Sequence, residues 1–223
     1  MKRFLPPLGV CSAVLLAFAA PTVLATPGAF AQSPDDYDYW FDICVKSSGQ
    51  EAVDGCDRVL DIEPDDAVTW TNRGNALDSM GRLDEALESH NRAVTLDSTY
   101  SLALANRCAT LGNLGRHQEA IQSCLAALEG DDRWGEGGAE LAWDNMGVSL
   151  AYLGQYEESL AAHLVALDLN PEYANAWNNL GATLFDMGKY AEAAQAFEEA
   201  LRLDPTDQLA QDNLNLARQR LGQ

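Results

Sequence analysis

Basic side chains are scarce in this 223-residue chain: 14 Lys and Arg stand against 34 Asp and Glu, a formal net charge of −20. That balance repels phosphate backbones and excludes nucleic acid as a natural partner. It favours a partner with a basic face, first through the rate of encounter. Histidine is scarcer still, at three residues, and none stands at the His-pair or carboxylate–histidine spacing of a metal site. There is no Cys-x-x-Cys, glycine-rich phosphate loop or nucleophile elbow. The turn Glu129-Gly130-Asp131-Asp132 lacks the alternating oxygen ligands of a calcium loop. The sequence therefore nominates no catalytic residue, no metal and no cofactor, and reads as non-enzymatic.

Long hydrophobic runs are also lacking. The longest, Val10 to Ala20, falls short of a confident membrane span. It follows Lys2 and Arg3 and precedes the small-x-small site Ala29-Phe30-Ala31, the pattern of an export signal over residues 1–31. Val23-Leu24-Ala25 is the second candidate site. Cutting after Ala31 leaves 12 basic against 34 acidic residues, or −22. Cys11 precedes the apolar run instead of following it, and Val10 stands where a lipoprotein signal needs a small residue. The expectation is an exported protein (periplasmic, extracellular or lumenal) without stable membrane insertion, with an uncleaved anchor as the alternative.

What the chain does have is a period. The stretch Asn175 to Pro205 reads as two helices joined by a turn at Gly188-Lys189-Tyr190. Trp177, Leu180, Gly181 and Leu184 share one face of the first helix; Ala193, Ala194, Phe197, Ala200 and Leu201 share one face of the second. Gly181 and Ala193 remove bulk where the helices must touch. A pair this short cannot bury both faces alone and needs neighbours. The run Trp177, Leu180, Gly181, Leu184, Ala193, Phe197, Ala200 and Pro205 resembles a tetratricopeptide repeat. The resemblance implies an all-α, right-handed solenoid of helix-turn-helix repeats.

The remaining chain falls into the same register. Residues 67–100 carry Trp70, Gly74, Leu77, Gly81, Ala86, His90 and Ala93, and residues 101–134 carry Leu104, Cys108, Leu111, Gly115, Ala120, Cys124 and Ala127. Five residues, 135–139, then break the period with three glycines and read as a flexible elbow. Residues 140–173 resume the pattern, 174–207 hold the stretch above, and 208–223 form a capping helix. Residues 32–66, ending near Pro64, look like a degenerate first repeat. His90 and His163 fall where Phe197 falls, on the packed face of a second helix, and are expected to be core residues; His117 is expected in an inter-helix turn.

Four cysteines remain after export. In an antiparallel hairpin, residues equidistant from the turn lie opposite each other. Cys44 and Cys56 are symmetric about Gln50, and Cys108 and Cys124 about Arg116. Both pairs are expected to form disulfides, with buried free thiols as the alternative.

Asn72, Asn106, Asn145, Asn179 and Asn213 recur at one position of successive first helices, at intervals of 34, 39, 34 and 34. In tetratricopeptide arrays the first helices line a concave groove, so the resemblance implies an asparagine column along it. An amide both donates and accepts, and can hold an extended peptide backbone without reading its side chains. The alternative is that these amides bond neighbouring helices. Asn75, Asp78, Asp144, Tyr152, Asn178, Phe185 and Asp186 are further groove candidates; they suit a peptide with basic and apolar residues. Family members that grip a terminal carboxylate use groove lysines and arginines, which these positions lack. The expected function is an exported scaffold or adaptor that binds a peptide segment or partner protein in the groove. The competing expectation is a structural subunit or assembly factor of an envelope complex using convex or end surfaces, with Trp134 as a candidate exposed anchor.

Overall fold

A computed structural model describes residues 36–135 and 137–222. The expected export signal, both its candidate cleavage sites and Cys11 lie outside the described residues. Within them every regular element is an α-helix: α1 (Tyr37–Lys46), α2 (Gly49–Ile62), α3 (Ala67–Ser79), α4 (Leu83–Leu96), α5 (Ser101–Asn113), α6 (His117–Leu128), α7 (Ala139–Tyr152), α8 (Tyr156–Leu169), α9 (Ala174–Asp186), α10 (Tyr190–Leu203) and α11 (Gln208–Leu221). Consecutive helices pack as antiparallel hairpins, each stacked on the next, into a right-handed α-solenoid.

The turns explain the spacing. Gly188 has φ +77°, and its N–H and that of Lys189 donate to Phe185 and Leu184 carbonyls at 2.9 Å each. A Cβ at Gly188 would meet nothing within 4 Å, so it is the left-handed backbone, not crowding, that calls for glycine. Between repeats, Asp66 accepts from Val68 and Thr69 N–H and caps α3, as Asp207 caps α11. The Trp70 indole donates to the Pro64 carbonyl at 2.8 Å, and Trp177 to the Pro171 carbonyl at 2.9 Å. One tryptophan thus fixes the approach of each of these first helices to the proline turn before it.

Small side chains set the helix spacing within each hairpin. Ala93, Ala127, Ala166 and Ala200, one position repeated, are fully buried. One core cluster, around Leu104, Leu111 and Met146, spans α4 to α8; another, around Leu180, Leu184 and Phe197, spans α8 to α11. Trp143 packs against both.

The turn that precedes the glycine-rich break is laid back on the start of α5. Asp131 Oδ1 accepts from Ser101 N–H at 3.2 Å, Asp131 N–H donates to the Thr99 carbonyl at 2.8 Å, and Leu102 N–H to the Arg133 carbonyl at 3.0 Å. Arg133 pairs with Asp97 and Asp131 and lies 4.5 Å from the centre of the Tyr100 ring. The helix's own N-cap residue, Tyr100, makes no side-chain cap, so Asp131 supplies one from thirty residues away. A Cβ at Gly130 would lie 2.4 Å from Ser101 Oγ, which is why glycine stands there. Trp134, expected as an exposed anchor, is half-buried against the Leu104 cluster instead. The acidic turn's chemistry is capping.

Candidate groove on the first-helix face

First helices approach one another in succession: α1 with α3, α3 with α5, α5 with α7, α7 with α9, and α9 with α11. Among the described residues no two second helices do so. A stack crowded on one side and open on the other curves toward the crowded side, so α3, α5, α7 and α9 line the inner face.

That face carries a polar ladder. Asn106 Nδ2 donates to Asn75 Oδ1 at 2.7 Å, Asn179 Nδ2 to Asp144 Oδ2 at 3.0 Å, and Asn213 Nδ2 to Asn178 Oδ1 at 3.2 Å. Each bond joins one first helix to the preceding one. Asn106, Asn179 and Asn213 of the column therefore tie the stack together, and each of these three amides has one donor committed to that task. Asn178 and Asn213 are buried against each other, and Phe185 is buried with its ring against Tyr190; all three, nominated for ligand contact, present little surface to a groove ligand. Asn72, Asn75, Asn106, Asn145 and Asn179 stay partly exposed.

Two acids, Asp144 buried and Asp78 partly so, reinforce the ladder. Asp78 Oδ2 accepts from Thr110 Oγ1 at 2.7 Å and lies 3.1 Å from His90 Nε2; Asp144 Oδ1 lies 2.7 Å from His163 Nδ1 while its Oδ2 takes the Asn179 amide. Each acid on a first helix thus links its own second helix to the next first helix. His90 and His163 are fully buried, as their alignment with Phe197 predicts, so neither can reach a substrate.

The exposed aromatic of the face is Tyr152, at the end of α7 and 49% exposed. His117 stacks on it with ring centroids 4.3 Å apart and planes inclined by 13°. His117 begins α6 rather than lying in the turn before it. Burial by its surroundings pushes the His117 imidazole below its ordinary pKa and the Tyr152 phenol above its own. The neutral imidazole and neutral phenol together form a flat platform beside the polar ladder. The sequence nominated Tyr152 but not His117, because nothing in the local pattern of α6 reports a partner at the far end of the next helix.

Both expected cysteine pairs are joined: Sγ–Sγ is 2.09 Å for Cys44–Cys56 and 2.02 Å for Cys108–Cys124. Among the described residues no three His, Cys, Asp or Glu side chains converge as a metal site would require, and no helix is long and apolar enough to cross a membrane.

With this geometry in hand, the chain compares with known proteins as follows. The tetratricopeptide repeat family model matches residues 67–100 and 174–207, and a second TPR repeat model matches residues 147–188. The sequence matches none of the curated proteins. Among solved structures, PilW, described as a widely conserved type IV pilus biogenesis factor, aligns with TM-score 0.68 at 19% identity, covering 82% of this chain and 88% of its own. YrrB, described as a TPR protein with an unusual peptide-binding site, aligns with TM-score 0.59 at 19% identity over 80% of this chain and 91% of its own. MamA aligns with TM-score 0.59 at 20% identity over 76% and 92%. At such identities these likenesses speak to the fold alone. The repeat matches and the helix-pair solenoid together make the chain a tetratricopeptide repeat protein.

Proposed function

We propose that the chain is an exported, non-catalytic scaffold that holds a peptide segment or a loop of a partner protein on its first-helix face. The observation that carries this reading is the exposed Tyr152–His117 stack beside a strip of partly exposed asparagines. Aromatic rings supply contact area at little entropic cost, and the amide groups left over from the ladder can pair with peptide N–H and C=O groups. With net charge −20, a basic and apolar segment is the favoured ligand. The YrrB description, a TPR protein with a peptide-binding site, supports the same use of the fold by analogy. Export is supported by Lys2 and Arg3, the apolar run Val10 to Ala20, Ala29-Phe30-Ala31 and the two cysteine pairs, which suit an oxidising compartment.

The test is retention of a partner from an envelope extract. Tyr152→Ala, with Asn145→Ala beside it, lowers retention while helicity stays unchanged; retention equal to that of the unsubstituted protein would remove the groove from the account.

A second reading has its own observation. Leu125 and Leu164 occupy one repeat position on the second helices α6 and α8 and are 46% and 51% exposed, with Leu169 at 53%. That apolar convex surface suits a structural subunit or assembly factor of an envelope complex. Loss of assembly on Leu125→Ser and Leu164→Ser, with Tyr152→Ala silent, would favour it.

A further inference from the structure

We propose that the cleft over Arg107, among the second helices and away from the groove, binds the carboxylate of an aspartate or glutamate side chain from a partner protein. The proposal does not rest on the groove reading. The cleft holds about 180 Å³, walled by Leu87 and Asn91 of α4, Arg107 and Leu111 of α5, and Arg116 and Glu119 at the start of α6.

The repeat itself provides the comparison. Arg107, Ser123 and Asn91 each stand 34 residues after Arg73, Ser89 and Asp57. Arg73 Nη1 donates to Ser89 Oγ at 2.8 Å, and its Nε to Asp57 Oδ1 at 2.6 Å. Arg107 keeps the serine contact, with Nε to Ser123 Oγ at 2.9 Å. Its acid is gone, because asparagine 91 holds the place of aspartate 57. Glu119, at the cleft's edge, attracts Arg107 through its charge but forms no ion pair with it, being engaged by both Nε and Nη2 of Arg116 at 2.7 and 2.6 Å.

Counter-charge is plentiful in this chain, with 34 acids to 14 bases. Arg73, Arg82, Arg92, Arg116 and Arg133 each sit against a carboxylate. Arg107 is half-buried, forms no ion pair among the described residues, and burial lowers its pKa. Burying an arginine without its acid is costly, and the cost is relieved when a carboxylate arrives. Asp57 shows which occupant this environment takes: an aspartate side chain carried on a helix, presenting oxygen to the guanidinium edge. The walls of Leu87 and Leu111 accept the methylene beside an incoming carboxylate, and the Asn91 amide can donate to its second oxygen.

The test uses the full chain with N-acetyl-aspartate N-methylamide as probe, following the arginine Nε–Hε resonances by NMR. The Arg107 resonance shifts saturably, and that of Arg73 does not. The neutral asparagine analogue and sodium chloride at matched ionic strength leave Arg107 unmoved. Asn91→Asp, which restores the internal acid without changing shape, weakens the probe at least about tenfold and raises the melting temperature. Arg107→Gln abolishes the response. No saturable shift, an equal shift with chloride or the asparagine analogue, or undiminished binding to Asn91→Asp would each overturn the proposal.

Discussion

His163 closes on Gly147: a Cβ at that glycine would lie 2.6 Å from the imidazole Cε1. His90 stands in the same relation to Gly74 at 2.3 Å, and Phe197 to Gly181 at 2.6 Å. Cys124 fills the same second-helix position in the repeat between and reaches Cys108, which stands where the glycines stand. Cys56 takes it in the first hairpin and reaches Cys44. One position per repeat therefore locks each hairpin, by disulfide, by ring on glycine with a carboxylate behind it, or by aromatic on glycine.

Because these contacts leave no room, Gly147→Ala or Gly181→Ala destabilises by about 1–3 kcal/mol, read as a lowered urea midpoint. Gly112→Ala is the control. It sits inside α5, where a Cβ would find Ser149 Oγ at an ordinary 3.5 Å. There the better helix propensity of alanine leaves stability unchanged or raises it by up to about 1 kcal/mol.

Replacing Cys108 and Cys124 together by Ser costs about 2–4 kcal/mol through the loop-closure entropy of the unfolded chain. The loss of the Cys44–Cys56 pair should cost slightly less, since its loop spans 12 residues instead of 16. Mass measurement without reductant checks the premise: a mature chain four hydrogens lighter than its fully reduced form is expected.

The His117–Tyr152 stack makes stability depend on mild acid. Burial depresses the folded pKa of His117, so the unfolded chain takes up its proton first, below about pH 6.5. Its contribution is therefore full above that pH and is lost as pH falls through the lower folded value. His117→Gln flattens the stability–pH curve in that window, and the His117 ring resonances titrate below the ordinary imidazole range.

Asp131 gives a second, more acidic dependence. Partial burial works against its charge, but hydrogen bonds from Arg133 and Ser101 prevail and hold its carboxyl below the usual range. The stability it contributes is present above the unfolded pKa of about 3.9 and disappears as pH falls through the depressed value. Asp131→Ala removes the long-range cap of α5 and costs on the order of 1 kcal/mol. Faster amide exchange at Ser101 and Leu102 is the local check.

How far the sequence carries this account depends on the range of each interaction. Helix pairs, the 34-residue register, the buried His90 and His163 and both cysteine pairings follow from spacing within one hairpin. Asn213 shares its repeat position with the partly exposed Asn72, Asn106, Asn145 and Asn179, and its burial against Asn178 comes from the approach of α11 to α9, a contact between hairpins. Asp131 reaching back to Ser101, and Trp134 turning inward, likewise depend on the path of a loop that no periodicity specifies. The exchange of Asp57 for Asn91 lay open in the aligned repeats, but its consequence needed the location of Arg107.

The groove is tested most directly by photo-crosslinking from single positions in the intact exported protein. A benzoylphenylalanine at position 152 on the first-helix face and one at position 164 on the second-helix face sample the two readings in the same molecule. The account predicts that one partner crosslinks from position 152, that its yield falls as salt is raised, and that position 164 gives none. Crosslinking of the partner from position 164 with none from 152 would contradict it.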